Sequence, residues 1–208
     1  MGERKARKSS KSHSTQHRKM ASPGVSNLTT LLQSASTGSA TIVRGPSAIL
    51  TRLRQLNEAE WITLFTPFVP HPPSTVLARN MDPFEPLGRM LPRQVRHVPY
   101  RLDHGMTDTH ADFLPSSGAI LIVVCSTENV LSNDPKAYDR QKKFVEDVTQ
   151  KAEHNNTLTN VPIIVLLISN GAGRQPHEEG LSDVPALVTC NNYTTAALAN
   201  AVRVMFGN

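Results

Sequence analysis

The chain has 208 residues, 38% of them apolar, with 22 Lys and Arg against 17 Asp and Glu. That length fits one domain with a tail; no apolar run approaches the roughly 18 residues of a membrane span, and no apolar segment follows Met1 as a secretory signal requires. Residues 1–20 hold seven Lys/Arg and one Glu, a net of +6, which leaves 15 basic and 16 acidic residues and a net of -1 for the rest, so the folded part offers no obvious phosphate-binding face.

Residues 1–38 read as a basic tail and linker that buries too little apolar surface to order itself. Arg4, Lys5, Arg7, Lys8, Lys11, Arg18 and Lys19 suit a nuclear-import signal or an arm that makes a weak DNA contact. Leu28, Leu31 and Leu32 suggest a short helix or a docking strap. The domain then runs over 39–208. It opens with a strand at Ala40-Thr41-Ile42-Val43, a turn at Gly45, and a helix carrying Leu50, Leu53 and Leu56 through about Trp61.

Residues 66–99 contain eight of the 15 prolines, so 66–100 is expected to be a Pro-rich surface loop, with one edge strand over Val95 to Leu102. Ala119–Cys125 and Val161–Ile168 are continuous apolar runs, the mark of parallel strands buried on both faces. Between them a helix is expected from the Ser132-Asn133-Asp134-Pro135 start to about His154. Ala186–Cys190 is a further strand. A last helix, capped by Thr194 or Thr195, carries Leu198, Ala201, Val202, Met205 and Phe206. The alternation predicts a doubly wound α/β domain. Cys125 and Cys190 end apolar runs and read as small buried hydrophobes in a reducing compartment.

Such a sheet binds ligands at the carboxyl ends of its strands. A phosphate loop beginning at Gly45 would need glycine, lysine and a hydroxyl where Leu50, Thr51 and Arg52 stand. After the Ile163–Ile168 strand, a guanine-reading N-K-x-D would fall on Asn170, Gly171, Ala172 and Gly173, and only the asparagine is kept. Gly45, Leu50, Thr51, Arg52, Asn170, Gly171 and Gly173 are therefore at most vestiges of a nucleotide site. His104, Asp108, His110 and Asp112 lie within nine residues but read as a polar loop rather than a metal site. No catalytic residue, cofactor or metal is expected.

Three stretches resemble the centromere protein M family. They are Ala40–Val43 with Gly45 and the Leu50, Leu53, Leu56 helix; the Ile120–Val124 strand with its helix; and Leu166-Leu167-Ile168-Ser169-Asn170-Gly171-Ala172-Gly173-Arg174 with Leu187-Val188-Thr189-Cys190 and the Ala201-Val202-Arg203-Val204 helix. The likeness spans 39–64 and 118–208. It implies a three-layer small-GTPase-like (P-loop NTPase-like) fold with a parallel-rich sheet that has lost nucleotide binding. It further implies a non-enzymatic inner-kinetochore scaffold in the nucleus, at the centromere. Its partners would be a helical-repeat subunit like centromere protein I, with centromere proteins H and K, and no membrane. Two other readings stay open: a pseudo-GTPase adaptor in membrane trafficking, and a doubly wound enzyme using the Asn170–Arg174 turn.

Overall fold

A computed structural model describes Met1 and residues 40–73, 75, 77, 78, 80–170 and 173–207. The basic tail, the leucine strap, Gly171 and Ala172 lie outside the described residues.

The domain is α/β, a mostly parallel six-stranded sheet flanked by helices. In chain order the strands are β1 (Ala40–Arg44), β2 (Trp61–Pro67), β3 (Gln94–Tyr100), β4 (Ala119–Cys125), β5 (Ile163–Ile168) and β6 (Ala186–Cys190). The helices are α1 (Ser47–Arg54), α2 (Glu85–Met90), α3 (Asp108–Phe113), α4 (Glu128–Asn133), α5 (Ala137–Glu153), α6 (Arg174–Glu179) and α7 (Thr195–Phe206). The sheet order is β1-β6-β5-β4-β2-β3. Every neighbouring pair is parallel except β1 with β6. The five parallel strands thus follow the flavodoxin-type order, with the topological switch between β2 and β4.

Alternation along the strands explains the three layers. Leu121, Val123, Ile164, Leu166 and Val188 face Leu53, Leu87, Leu198 and Met205 of α1, α2 and α7. Ile120, Ile122, Val124, Val165 and Leu167 face Phe144, Val145 and Val148 of α5. Tyr100 stacks on Phe144 at 3.7 Å between ring centroids, and its hydroxyl donates to the Val123 carbonyl at 2.9 Å. All residues of β4 and β5 are buried, as their unbroken apolar runs predict.

Two expectations need correction. The helix expected to reach Trp61 ends at Arg54, and Trp61–Pro67 is a strand lying between β3 and β4. Its buried threonines hide the apolar signal: Thr63 meets the Ser117 hydroxyl at 2.6 Å, and Thr66 meets His97 Nε2 at 2.7 Å. Second, 66–100 is not one surface loop. Phe84 and Leu87 are fully buried around α2, and β3 pairs along its length with β2. The edge strand expected near Val95 is that β3, where Pro99 is tolerated because the sheet ends there. The helix expected from the Ser132–Pro135 start to about His154 is α5, Ala137–Glu153, and a further short helix, α4, precedes it at Glu128–Asn133. Thr194 caps α7 as expected, accepting from the Ala197 N–H.

The carboxyl end of β4 is completed by a side chain. Gln141 of α5 is fully buried; its Oε1 accepts the Cys125 N–H at 2.7 Å, and its Nε2 donates to the Cys125 carbonyl at 2.8 Å and to the Ala137 carbonyl at 3.0 Å. Gln141→Leu keeps the volume but orphans both backbone groups of Cys125. We expect a loss of about 2–4 kcal/mol, measured by urea unfolding with an unchanged m-value.

Candidate functional site

The carboxyl ends of β4, β5 and β6 border a cleft of about 520 Å³. Its walls are Thr127, Glu128, Asn129 and Ser132 from β4 and α4, Asn170 from β5, and Asn192, Tyr193 and Thr194 from the turn into α7, with Pro72 and Pro73 at the rim. The Glu128 N–H donates to Asn170 Oδ1 at 3.3 Å, which joins two walls. Asn129 Nδ2 donates to the Tyr193 hydroxyl at 2.7 Å and to the His71 carbonyl at 3.2 Å, while the Tyr193 hydroxyl donates to the Pro70 carbonyl at 2.7 Å. Asn192 Oδ1 accepts from the Thr194 N–H and hydroxyl. Among the described residues that line the cleft none is cationic, and Glu128 is the one carboxylate. Such walls suit a neutral polyhydroxyl ligand better than a phosphate, which an unpaired carboxylate repels.

A second crevice of about 360 Å³ lies at the switch between β2 and β4. Phe68, 74% exposed, stands on its rim, flanked by the Arg101–Asp103 and Arg140–Asp134 ion pairs, each at 3.0 Å. An exposed aromatic face beside paired polar groups is a stacking surface.

The nucleotide-site positions read from the sequence do not converge. β1 runs antiparallel to β6, with Arg44 opposite Leu187, so Gly45 leaves the sheet at the amino-terminal ends of the parallel strands. Arg44 confirms the placement by bonding the Leu181 and Val184 carbonyls ahead of β6. Gly45 packs against Leu50 and Ile42, Thr51 is on the exposed side of α1, and Arg52 pairs with Glu60. Asn170 sits at the opposite end of the sheet, and Gly173 is the residue before the six-residue α6. The expected Gly45 loop faces the wrong pole because a strand–glycine–helix sequence does not encode strand direction.

The other sequence candidates also disperse. His110 turns inward, 7% exposed, edge-on to Phe65 and Phe144, with its Nδ1 taken up by Thr107. Burial pushes its pKa below the ordinary histidine value. No group of three or more His, Cys, Asp or Glu among the described residues is placed to hold a metal. Cys125 and Cys190 are buried free thiols, and burial pushes the Cys125 thiol up to about 12. No helix among the described residues is long and apolar enough to cross a membrane. Thr127, Glu128, Asn129, Asn192 and Tyr193 were not singled out by sequence as site residues; the one available signal was their place just past buried strands.

No family model matches the chain, and no curated protein does. Similar solved structures exist. One is a fungal multi-domain GH3 β-N-acetylglucosaminidase with a GCN5-related glucosamine N-acetyltransferase region, at 15% identity and TM-score 0.52, covering 81% of this chain and 16% of that one. Another is a glycoside hydrolase family 3 β-N-acetylglucosaminidase from a Paenibacillus species, at 12% identity and TM-score 0.52, covering 96% of this chain and 34% of that one. The chain thus spans between about a sixth and a third of these proteins' lengths. At such identities the likeness is one of fold alone.

Burial also raises the Tyr193 and Tyr138 phenols to about 12, and Tyr100 well above its ordinary value. A phenol with a raised folded pKa lends stability that is whole below the unfolded value of about 10 and is lost as pH rises above it. Absorbance at 295 nm should show no tyrosinate at about pH 10.5 in the native protein, and three per chain on alkaline unfolding.

Proposed function

We propose that this chain is a non-catalytic α/β domain whose carboxyl-end cleft binds a neutral saccharide of the amino-sugar class. The observation that carries the reading is the lining: amides, hydroxyls and one carboxylate, without a cation among the described residues. Side-chain amides and a carboxylate recognise vicinal hydroxyls and an acetamido group through directional hydrogen bonds. The fold shared with the two β-N-acetylglucosaminidases supports the sugar class. The domain is non-catalytic on this reading because glycoside hydrolysis uses two carboxyl groups across the bond, and among the described residues that line the cleft Glu128 is the one carboxyl group.

The test is a 1H–15N titration of the chain with N,N′-diacetylchitobiose and, separately, with GTP and magnesium. The saccharide should move the Glu128, Asn129, Asn170 and Asn192 amides to saturation, and the nucleotide should leave them in place. Asn129→Ala should weaken saccharide affinity about five-fold, the worth of one net hydrogen bond. Saturable nucleotide shifts at the cleft, or no saccharide shifts at all, overturn the reading.

The inner-kinetochore scaffold, with its small-GTPase-like classification, is a second reading that rests on the sequence resemblance. One observation favours a structural role: Asn129, Asn192, Thr194 and Tyr193 spend hydrogen bonds on one another and on backbone rather than holding them free. On that reading affinity capture of the tagged chain from nuclear extract recovers helical-repeat centromere subunits. An empty capture together with saturable chitobiose binding decides for the saccharide.

A further inference from the structure

Behind the cleft lies a support that the saccharide reading does not use. Ser126 and Ser169 are the first residues past β4 and β5, 2% and 1% exposed. Both hydroxyls approach one atom, His177 Nδ1, at 2.9 Å and 3.3 Å. The imidazole lies against the Tyr138 ring of α5 with centroids 4.0 Å apart, and the Tyr138 hydroxyl donates to the His177 carbonyl at 2.8 Å. Gly180 packs so closely on that hydroxyl that a β-carbon has no room there. Arg174, one turn earlier, donates to Thr189 Oγ1 in β6 at 2.5 Å. The short helix α6 is thereby fastened across the ends of three strands. Asn170, the residue after Ser169, and Glu128, two residues after Ser126, are joined across the cleft.

We propose that His177 is the positioning residue of the cleft: its Nδ1 fixes the spacing of the loops after β4 and β5, and makes binding there depend on pH. The ligand part of this inference rests on the saccharide reading; the spacing part does not. A neutral ring with its proton on Nε2 leaves Nδ1 to accept from Ser126, with Ser169 as a second donor. The groups facing the ring are the Ser126 and Ser169 hydroxyls, Tyr138 and Asp139 from α5, and on its own helix Arg174 and Glu178, which pair with each other at 2.6 Å. Protonation turns Nδ1 into a donor. Both hydroxyls must then reverse, and a charge is left in a half-desolvated place. Burial lowers the His177 pKa, with Asp139 opposing. The sign follows: the tie is whole above the ordinary histidine value and is lost as pH falls through the depressed one.

The experiment is an NMR titration of the full chain from about pH 8 to about pH 5, first without ligand. The Glu128 backbone amide and the Asn170 side-chain amide should shift with the midpoint of the His177 ring, below the ordinary histidine range. In His177→Phe, which keeps a ring on Tyr138, that shared titration should vanish; in Ser169→Ala it should persist with a smaller Asn170 shift. Across the same midpoint the affinity for N,N′-diacetylchitobiose should fall roughly five- to ten-fold. Glu128 and Asn170 signals that ignore the His177 midpoint, or that titrate unchanged in His177→Phe, overturn the proposal. If that variant does not fold, an Asn170 shift in Ser169→Ala equal to wild type overturns it. Coupled titration without any chitobiose binding keeps the positioning role and removes the saccharide reading.

Discussion

The arrangement depends on how β4 is allowed to end. A parallel strand buried on both faces must stop somewhere, and its last backbone groups need partners where the ladder thins. Gln141 supplies them from α5, donating to and accepting from Cys125 as a neighbouring strand would. With that end satisfied, Ser126 and Thr127 can turn away from the sheet without orphaned groups, and α4 can start at Glu128. The same clasp sets the height of α5, and so where Tyr138 meets His177. One buried amide thus links the hydrophobic layer formed by Phe144 and Val148 to the polar rim above it.

The two poles of the sheet differ in kind. At the amino-terminal pole are the turn at Gly45, the Arg52–Glu60 pair, and Arg96 over the Trp61 and Phe113 rings. At the carboxyl-terminal pole are the asparagines, the threonines and Tyr193. Flavodoxin-type sheets gather ligands at the second pole, because every crossover helix begins there and the switch in strand order opens a crevice. The antiparallel β1 carries its glycine turn away from that pole. A phosphate cradle built on Gly45 would therefore stand at the far end of the sheet from Asn170.

Much of the fold was legible where burial is unmixed. The runs at Ile120–Val124 and Ile163–Ile168 can be little else than strands covered on both faces, and Thr194 before an apolar period of three to four residues marks the start of α7. β2 was not legible, because Thr63 and Thr66 are buried polar groups whose partners, Ser117 and His97, are distant in sequence. The order of the strands was hidden for a similar reason: direction is decided by pairing, and the pairing of β1 with β6 leaves no local trace. Of the site, Asn170 was visible as a strand-end asparagine. Ser126 and His177 meet across 51 positions, a juxtaposition that no spacing rule announces.

That pairing of the first strand with the last has a consequence for how the chain is made. Arg44 is held by carbonyls 137 and 140 positions further on. During synthesis the opening strand leaves the ribosome long before the edge it will join exists. The five parallel strands and their crossovers have the shorter closures and can assemble first. β1 then closes the sheet as the final stave of a cask. Until it does, the flank of β6 is an open edge bearing Leu187 and Val188, the place where a nascent or truncated chain would recruit the wrong neighbour.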